Sequence, residues 1–438
     1  MTASAQKVPS TGSRPERDLA ARAAHRATET VLARVALGLV ALHVVDDSFL
    51  QPQPGTGAGD HVASGLVPVA VLGLAAWAYP RRRAGVRAVI AVTLGLFGVV
   101  VGIEGAYYTV KGNPSGDDFT GLLAIPAGLA LVATGLVTLW RSRRRDDSRR
   151  RRYVRRLLLA VGAVAVLYVL VLPFYSAYVF THVARGFVPE PELGAAYEEV
   201  SFRTSDGLEL QGWYIPSKNR AAVIAFPGRS GSQRPARMLA RHGYGVLLFD
   251  RRGEGDSEGD PNLFGWAGER DVHAAVAFLR SRPEVDRERI GGIGLSVGGE
   301  MMLEAAAESD GLKAVVSEGA GIRSIRESLA VPETRLKIEA TLLHVGVTSG
   351  VALFSDSLPP PSLEDLVGRI APRPVFLVYA VPGQGGEAEL SELFYDAAGE
   401  PKEIWKVPGS EHTGGIEAQP EEYERRVVGF FDAALLDR

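Results

Sequence analysis

A serine framed by glycines, Gly294-Leu295-Ser296-Val297-Gly298, follows directly on the apolar run Ile290-Gly291-Gly292-Ile293. A sharp strand-to-helix turn holds such a serine in strained backbone and pushes its hydroxyl outward. The flanking positions must stay small, because a side chain there would collide across the turn. The next stretch, Gly299 to Ala307, reads as a helix, so the local order is strand, turn, helix. A serine hydroxyl is a poor nucleophile at neutral pH and needs an adjacent base that is itself oriented by an acid. Of the eight histidines, His412 lies in the glycine-rich loop Val407-Pro408-Gly409-Ser410-Glu411-His412-Thr413-Gly414-Gly415, after the last strand-like run. A base belongs there if the chain order is serine, acid, histidine. His273, inside an amphipathic stretch, and His344, at helical spacing from apolar residues, read as packing or pocket-lining groups.

The acid is expected in the loop Ala380 to Glu389, which holds no aspartate. Glu387 is its first carboxylate and closes the glycine-rich turn, so it is the preferred candidate. Glu389 suits the first turn of the following helix, where a carboxylate meets the positive end of the helix dipole. Glu318, in Ser317-Glu318-Gly319, is a third candidate and could instead organise the site. Glutamate can replace aspartate in this role, which is to fix the histidine tautomer and stabilise the imidazolium. An oxyanion hole needs two backbone N–H groups aimed at the developing charge. Val297 N–H, just after the serine, is one. Arg229 N–H, in Pro227-Gly228-Arg229-Ser230-Gly231, is the other, with the Arg229 side chain facing either an anionic substrate group or solvent.

These groups need a scaffold, and residues 197–438 supply one. Tyr197–Arg203 and Leu208–Ile215 alternate about the turn Ser205-Asp206-Gly207, which reads as a hairpin. Near-continuous apolar strands follow at Ala221–Phe226, Gly245–Phe249, Arg289–Ile293, Lys313–Val316, Pro374–Tyr379 and Glu403–Val407. Helical stretches separate them, which predicts an α/β fold with a mostly parallel sheet covered on both faces. Ligands bind outside the carboxyl ends of such strands, where Ser296 sits. Residues 322–369 form a helical insertion, read as a lid, and its apolar stretch Leu342–Phe354 points to an acyl or aromatic substrate.

The first part of the chain is different. After a polar tail (residues 1–29), five stretches are apolar and about long enough to cross a bilayer: Thr30–Leu50, Val62–Tyr79, Val86–Tyr108, Phe119–Trp140 and Leu157–Val183. This predicts an all-α transmembrane bundle over residues 30–185, then a proline-containing linker at 186–196. Alternate loops are basic: the tail, Arg81-Arg82-Arg83 with Arg87, and Arg141 to Arg156. The loops between them carry only Lys111. By the positive-inside rule the N-terminus is cytoplasmic, and five spans place the C-terminal domain outside. His43, Asp46 and Asp47 share a helical turn, Asp60-His61 begins the second span, and Glu104 lies near the outer end of the third. They read as a solvated outer rim, with a metal or proton site (His43, Asp46, Asp47, His61) as the sharper alternative.

The formal net charge of −3 over 438 residues argues against nucleic acid as a partner, and the absence of cysteine excludes disulfides and thiolate chemistry. No cofactor is expected. The expected partners are a small-molecule acyl substrate and the lipid bilayer.

Residues 197–436 resemble the α/β-hydrolase superfamily, in particular its dienelactone-hydrolase-like and prolyl-oligopeptidase-like serine hydrolases. The resemblance is carried by Asp206-Gly207, Pro227-Gly228, the run Phe249-Asp250-Arg251-Arg252-Gly253-Glu254-Gly255-Asp256-Ser257-Glu258-Gly259, the Ser296 turn and the His412 loop. It implies Ser296 as nucleophile, His412 as base and an acid between them, with Asp256-Ser257 structuring the loop after the fourth strand. The family usually has His-Gly at Pro227-Gly228 and an aspartate as acid. The expected activity is a membrane-anchored serine esterase. A peptidase or acyltransferase on the same triad, and a non-catalytic sensor domain coupled to the membrane helices, are the alternatives.

Overall fold

The computed structural model describes residues 14–331, 337–383 and 386–437, apart from 113, 115, 142–149 and several positions between 151 and 166. Most of the basic loop expected at Arg141–Arg156, and part of the fifth expected span, lie outside the described residues. The chain forms two compact units, residues 1–47 with 65–155 and residues 48–64 with 156–438.

The first unit is helical: α1 (Arg14–Val45), α2 (Val62–Ala78), α3 (Ala84–Val101), α4 (Ile103–Lys111) and α5 (Asp118–Arg141). Among the described residues four helical segments are long and apolar enough to cross a membrane, namely Ala23–Leu50, Val62–Arg81, Ala84–Lys111 and Asp118–Arg141. The sequence reading counts five. The fifth appears only as the shorter apolar helix Leu167–Thr181. Helices α3 and α5 approach closely through small residues: a Cβ on Gly95 would sit 2.6 Å from the Gly128 carbonyl oxygen, and one on Gly128 2.4 Å from that of Gly95. Such contacts hold helices together where lipid offers no hydrophobic drive between them. Large apolar side chains such as Leu66, Leu74, Val89, Leu129 and Trp140 remain exposed on the outside. Arg87, counted above among the loop arginines, is instead buried 3.3 Å from Glu29, which also accepts from the Tyr79 hydroxyl.

The second unit holds one eight-stranded sheet: β1 (Glu198–Arg203), β2 (Glu209–Ile215), β3 (Ala222–Phe226), β4 (Gly245–Phe249), β5 (Ile290–Leu295), β6 (Ala314–Glu318), β7 (Val375–Pro382) and β8 (Lys402–Ser410). Their order is β1-β2-β4-β3-β5-β6-β7-β8. β2 runs antiparallel to β1 and β4, and all other neighbours are parallel. β3 to β6 are buried along their whole length, which is why they read as unbroken apolar runs rather than alternating ones. Two apolar layers flank the sheet: one includes Phe249, Met301 and Phe394, the other Phe376, Tyr423 and Phe431.

The loop after β4 is fixed by charge. Arg252 donates from Nε and Nη2 to Asp271 Oδ1 at 2.9 and 2.7 Å, and its backbone N–H donates to Oδ2 at 2.9 Å. Asp271 is fully buried, so removing its charge leaves the Arg252 guanidinium with only the more exposed Asp206, at 2.9 Å, as its carboxylate partner. Asp271→Asn is expected to lower the unfolding free energy by about 3–5 kcal/mol, read as a fall in Tm of the full-length protein in detergent. Ser257, expected to structure this loop, does so: its hydroxyl donates to Asp250 O at 2.6 Å and accepts from Gln211 N–H at 2.9 Å.

Candidate active site

Ser296 follows β5 directly and precedes the helix Val297–Glu308, with φ 52° and ψ −124°, a conformation that non-glycine residues avoid. The surroundings enforce it. Ser296 N–H donates to Glu318 O on the neighbouring strand at 2.7 Å. A Cβ on Gly294 would lie 2.2 Å from Gly298 O, and one on Gly298 1.9 Å from the Phe226 ring. Only glycine fits at either position.

The structure brings Ser296, His412 and Glu387 together. His412 Nε2 lies 3.0 Å from Ser296 Oγ, and Nδ1 lies 2.9 Å from Glu387 Oε2. A carboxylate can only accept, so Nδ1 carries the proton and Nε2 is left to accept from the serine hydroxyl. Glu387 opens the helix Glu387–Ala397, is almost fully buried, and takes a second hydrogen bond from Ala380 N–H at 2.8 Å. The Glu387 hydrogen bond pushes the His412 imidazole above its ordinary range, against the opposing effect of burial.

The other carboxylates fall elsewhere. Glu318, at the end of β6, accepts from Gly415 N–H and from the Tyr423 hydroxyl, both at 2.8 Å, and so ties down the loop that carries His412. Burial pushes it up to about 7. Glu389 stands two residues inside the helix opened by Glu387, with no hydrogen bond to His412 among the described residues. His273 Nε2 lies 3.2 Å from Ala305 O, and His344 lines a separate cavity.

Arg229 requires a correction. Its backbone N–H, the expected second oxyanion donor, instead donates to Asp250 Oδ1 at 3.1 Å. Its guanidinium donates to Asp250 Oδ2 at 2.9 and 2.7 Å and to Asp256 at 3.0 Å, facing neither substrate nor bulk solvent. The reason is that Asp250 is buried just after β4 and its charge is compensated by both the backbone N–H and the guanidinium of Arg229. Val297 N–H has no acceptor among the described residues. Ser230, next along the same loop, lines the pocket of about 860 Å³ that also contains Ser296, Val297 and His412. The acceptor that takes the Arg229 N–H comes from a different strand, which spacing along the loop 227–231 does not reveal.

Of the suggested membrane cluster, His43 and Asp46 meet at one hydroxyl, that of Thr120. The His43 ring is buried, with Nδ1 3.1 Å from Thr120 Oγ1 and Nε2 2.9 Å from Val101 O, and Thr120 also donates to Asp46. His61 belongs to the other unit, 3.0 Å from Thr56 Oγ1 and 3.8 Å from Asp260. Among the described residues no group of three or more His, Asp or Glu is placed to hold a metal ion.

An eight-stranded sheet of this order, with a serine on the turn after its fifth strand and a histidine in the loop after its eighth, defines an α/β-hydrolase. The chain belongs to that superfamily. Residues 190–351 match the family described as X-Pro dipeptidyl-peptidase (S15 family). An uncharacterized Mycobacterium tuberculosis protein, MT2364, is 32% identical over 243 residues, which is 53% of this chain and 76% of that protein. The uncharacterized protein YfhR of Escherichia coli is 26% identical over 287 residues, 62% of this chain and 95% of that protein. Among solved structures, the Pyrococcus furiosus esterase Pf2001 is 26% identical, with a TM-score of 0.47 over 58% of this chain and 98% of that one. The family match supports a hydrolase.

Proposed function

We propose that the protein is a membrane-anchored serine hydrolase acting on carboxylic esters. The observation that carries this reading is the unbroken chain of hydrogen bonds from Glu387 through His412 to Ser296 Oγ, on a strained turn at the edge of an open pocket. Ser296 Oγ attacks the acyl carbon as its proton passes to His412 Nε2. The tetrahedral oxyanion is met by Val297 N–H and by Ser230, a donor set worth roughly 2.7–4 kcal/mol per hydrogen bond. The imidazolium then protonates the leaving alkoxide, and a water deprotonated by the same nitrogen releases the acid and restores Ser296. Glu387 holds the ring in the required tautomer and balances its transient charge. No cofactor takes part.

A fluorophosphonate probe is expected to label the wild-type protein and to fail on Ser296→Ala. A folded but unlabelled wild type would overturn the reading and favour the sensor alternative. The S15 match favours a second reading, a serine peptidase on the same residues. The two separate on substrate: p-nitrophenyl esters turned over far faster than Xaa-Pro-p-nitroanilides support the esterase, and the reverse order the peptidase.

With the shorter apolar segment that includes Leu167–Thr181 counted as a fifth span beside the four long ones, the alternation of basic loops supports a cytoplasmic N-terminus and an extracytoplasmic hydrolase domain, whereas four spans alone would leave that domain on the cytoplasmic side. The chain contains no cysteine, so a single introduced thiol reports its own position. Lys218→Cys, on an exposed turn of the hydrolase unit, should react with a membrane-impermeant maleimide in intact cells. Reaction only after lysis would reverse the topology.

A further inference from the structure

A second cavity, of about 390 Å³, lies beside the Ser296 turn within the same unit. Its nearest wall is Glu300, one helical turn beyond Ser296, whose N–H donates to Ser296 O at 3.2 Å. Its other walls are mainly apolar, with the polar side chains of Ser328, His344 and Thr348 among them. Phe264 and Trp266 come from the segment after β4, and Phe180 from the helix Leu172–Thr181. Leu343, Val347 and Val351 come from the lid helix Lys337–Phe354, at a spacing of four that places them on one face. The arginine among its described lining residues, Arg323, is already paired, 2.6 Å from Glu304 and 3.4 Å from Glu300. The cavity therefore suits a neutral, apolar group, and its volume falls within the range of small-molecule sites.

The lid helix and the helix Leu172–Thr181 pack face to face. A Cβ on Gly346 would lie 2.8 Å from Pro173 Cβ, and one on Gly350 2.6 Å from Ala177 Cβ. Two small residues four apart on an apolar helix are a packing device of helices in lipid. These two helices contain the shorter apolar segments Leu167–Thr181 and Thr341–Phe354, and Leu172, Val179, Leu342 and Val345 remain exposed on them.

We propose that this cavity holds the acyl chain of the ester whose carbonyl is attacked by Ser296, and that the chain enters from the bilayer alongside the paired helices. The proposal rests on the serine hydrolase reading and adds to it the substrate class, an ester with a long hydrocarbon acyl group dissolved in the membrane. Recognition is by burial of apolar surface, with the alcohol portion of the ester left at the Ser296 pocket.

The test uses the full-length protein reconstituted in dioleoylphosphatidylcholine vesicles. Three probes share one leaving group: p-nitrophenyl acetate and octanoate in the water phase, and p-nitrophenyl palmitate carried in the same bilayer. The wild type is expected to prefer octanoate to acetate in kcat/KM and to turn over the bilayer palmitate. Val347→Trp, and independently Leu343→Trp, fill the cavity and should lower the octanoate-to-acetate ratio about tenfold or more. Gly350→Leu should wedge the helix pair apart and lower palmitate turnover relative to octanoate. A chain-length ratio unchanged in both tryptophan variants, with fluorophosphonate labelling retained, overturns the assignment of the cavity. A shifted ratio with bilayer palmitate left intact overturns entry from the membrane. Loss of labelling and of acetate turnover in the wild type would instead refute the hydrolase reading itself.

Discussion

Replacing Ser296 by alanine should lower kcat by about six orders of magnitude while leaving a folded protein. The hydroxyl is the atom that forms the acyl-enzyme, and Nε2 of His412 lies 3.0 Å from it. Alanine keeps the Cβ, and the backbone N–H still reaches Glu318 O, so the turn survives. A residual rate above that in water is expected from the oxyanion donors and binding alone. The Cβ that alanine keeps also keeps the strain of φ 52°. Ser296→Gly relieves that strain and should be equally inactive but more stable, by on the order of 1–3 kcal/mol. Ester turnover by single-turnover kinetics and thermal melting of the three proteins check both parts. Substantial activity in the alanine variant would place the nucleophile elsewhere.

Glu387→Gln is the second large effect, expected at about 10⁴-fold in kcat. A glutamine can still accept from Ala380 N–H through its oxygen, so the fold of the loop is preserved. Its amide then points at His412 Nδ1 and donates. The proton moves to Nε2, and the ring faces Ser296 with a donor where an acceptor is required. The pH profile provides a second readout. The base must be neutral, and Glu387 raises the imidazole above its ordinary value of 6.5, so kcat/KM should fall as pH drops through a value above 6.5. In the glutamine variant that acid limb should move to lower pH. Glu389→Gln should leave both rate and limb near those of the wild type. A severe Glu389→Gln beside a mild Glu387→Gln would exchange their roles.

The sheet and the serine turn were readable because local rules decide them. β3 to β6 are covered on both faces, so each appears as a continuous apolar run; all eight strands begin within one residue of the expected bounds, β1 to β6 end within two, and β7 and β8 run on three residues past theirs. Glu387 was readable because a glycine-rich turn leaves few places for a carboxylate. What local spacing does not carry is competition between distant groups. Asp250 claims the Arg229 N–H from 21 residues away, and Glu318 holds Tyr423 from a distance of 105. Arg87 reads as a loop cation but is buried against Glu29, 58 residues earlier. His43 and His61 are close in sequence, yet the chain between them leaves one unit for the other.

Two buried carboxylates near the site, Glu318 and Glu300, bind protons more tightly than isolated side chains do. Burial pushes Glu318 and Glu300 from about 4.5 to about 7, and the Glu387 hydrogen bond raises His412 from 6.5. Between about pH 4.5 and 7 the folded chain thus holds protons that the unfolded chain has released, and stability falls as pH rises through that window. His412 acts in the same direction: its contribution is complete below 6.5 and is lost as pH rises through its folded value. The reaction asks for the opposite, a deprotonated imidazole. The ionisation that turnover requires is therefore one that these three groups oppose: each contributes most to the fold at a pH where the His412 imidazole is protonated and idle.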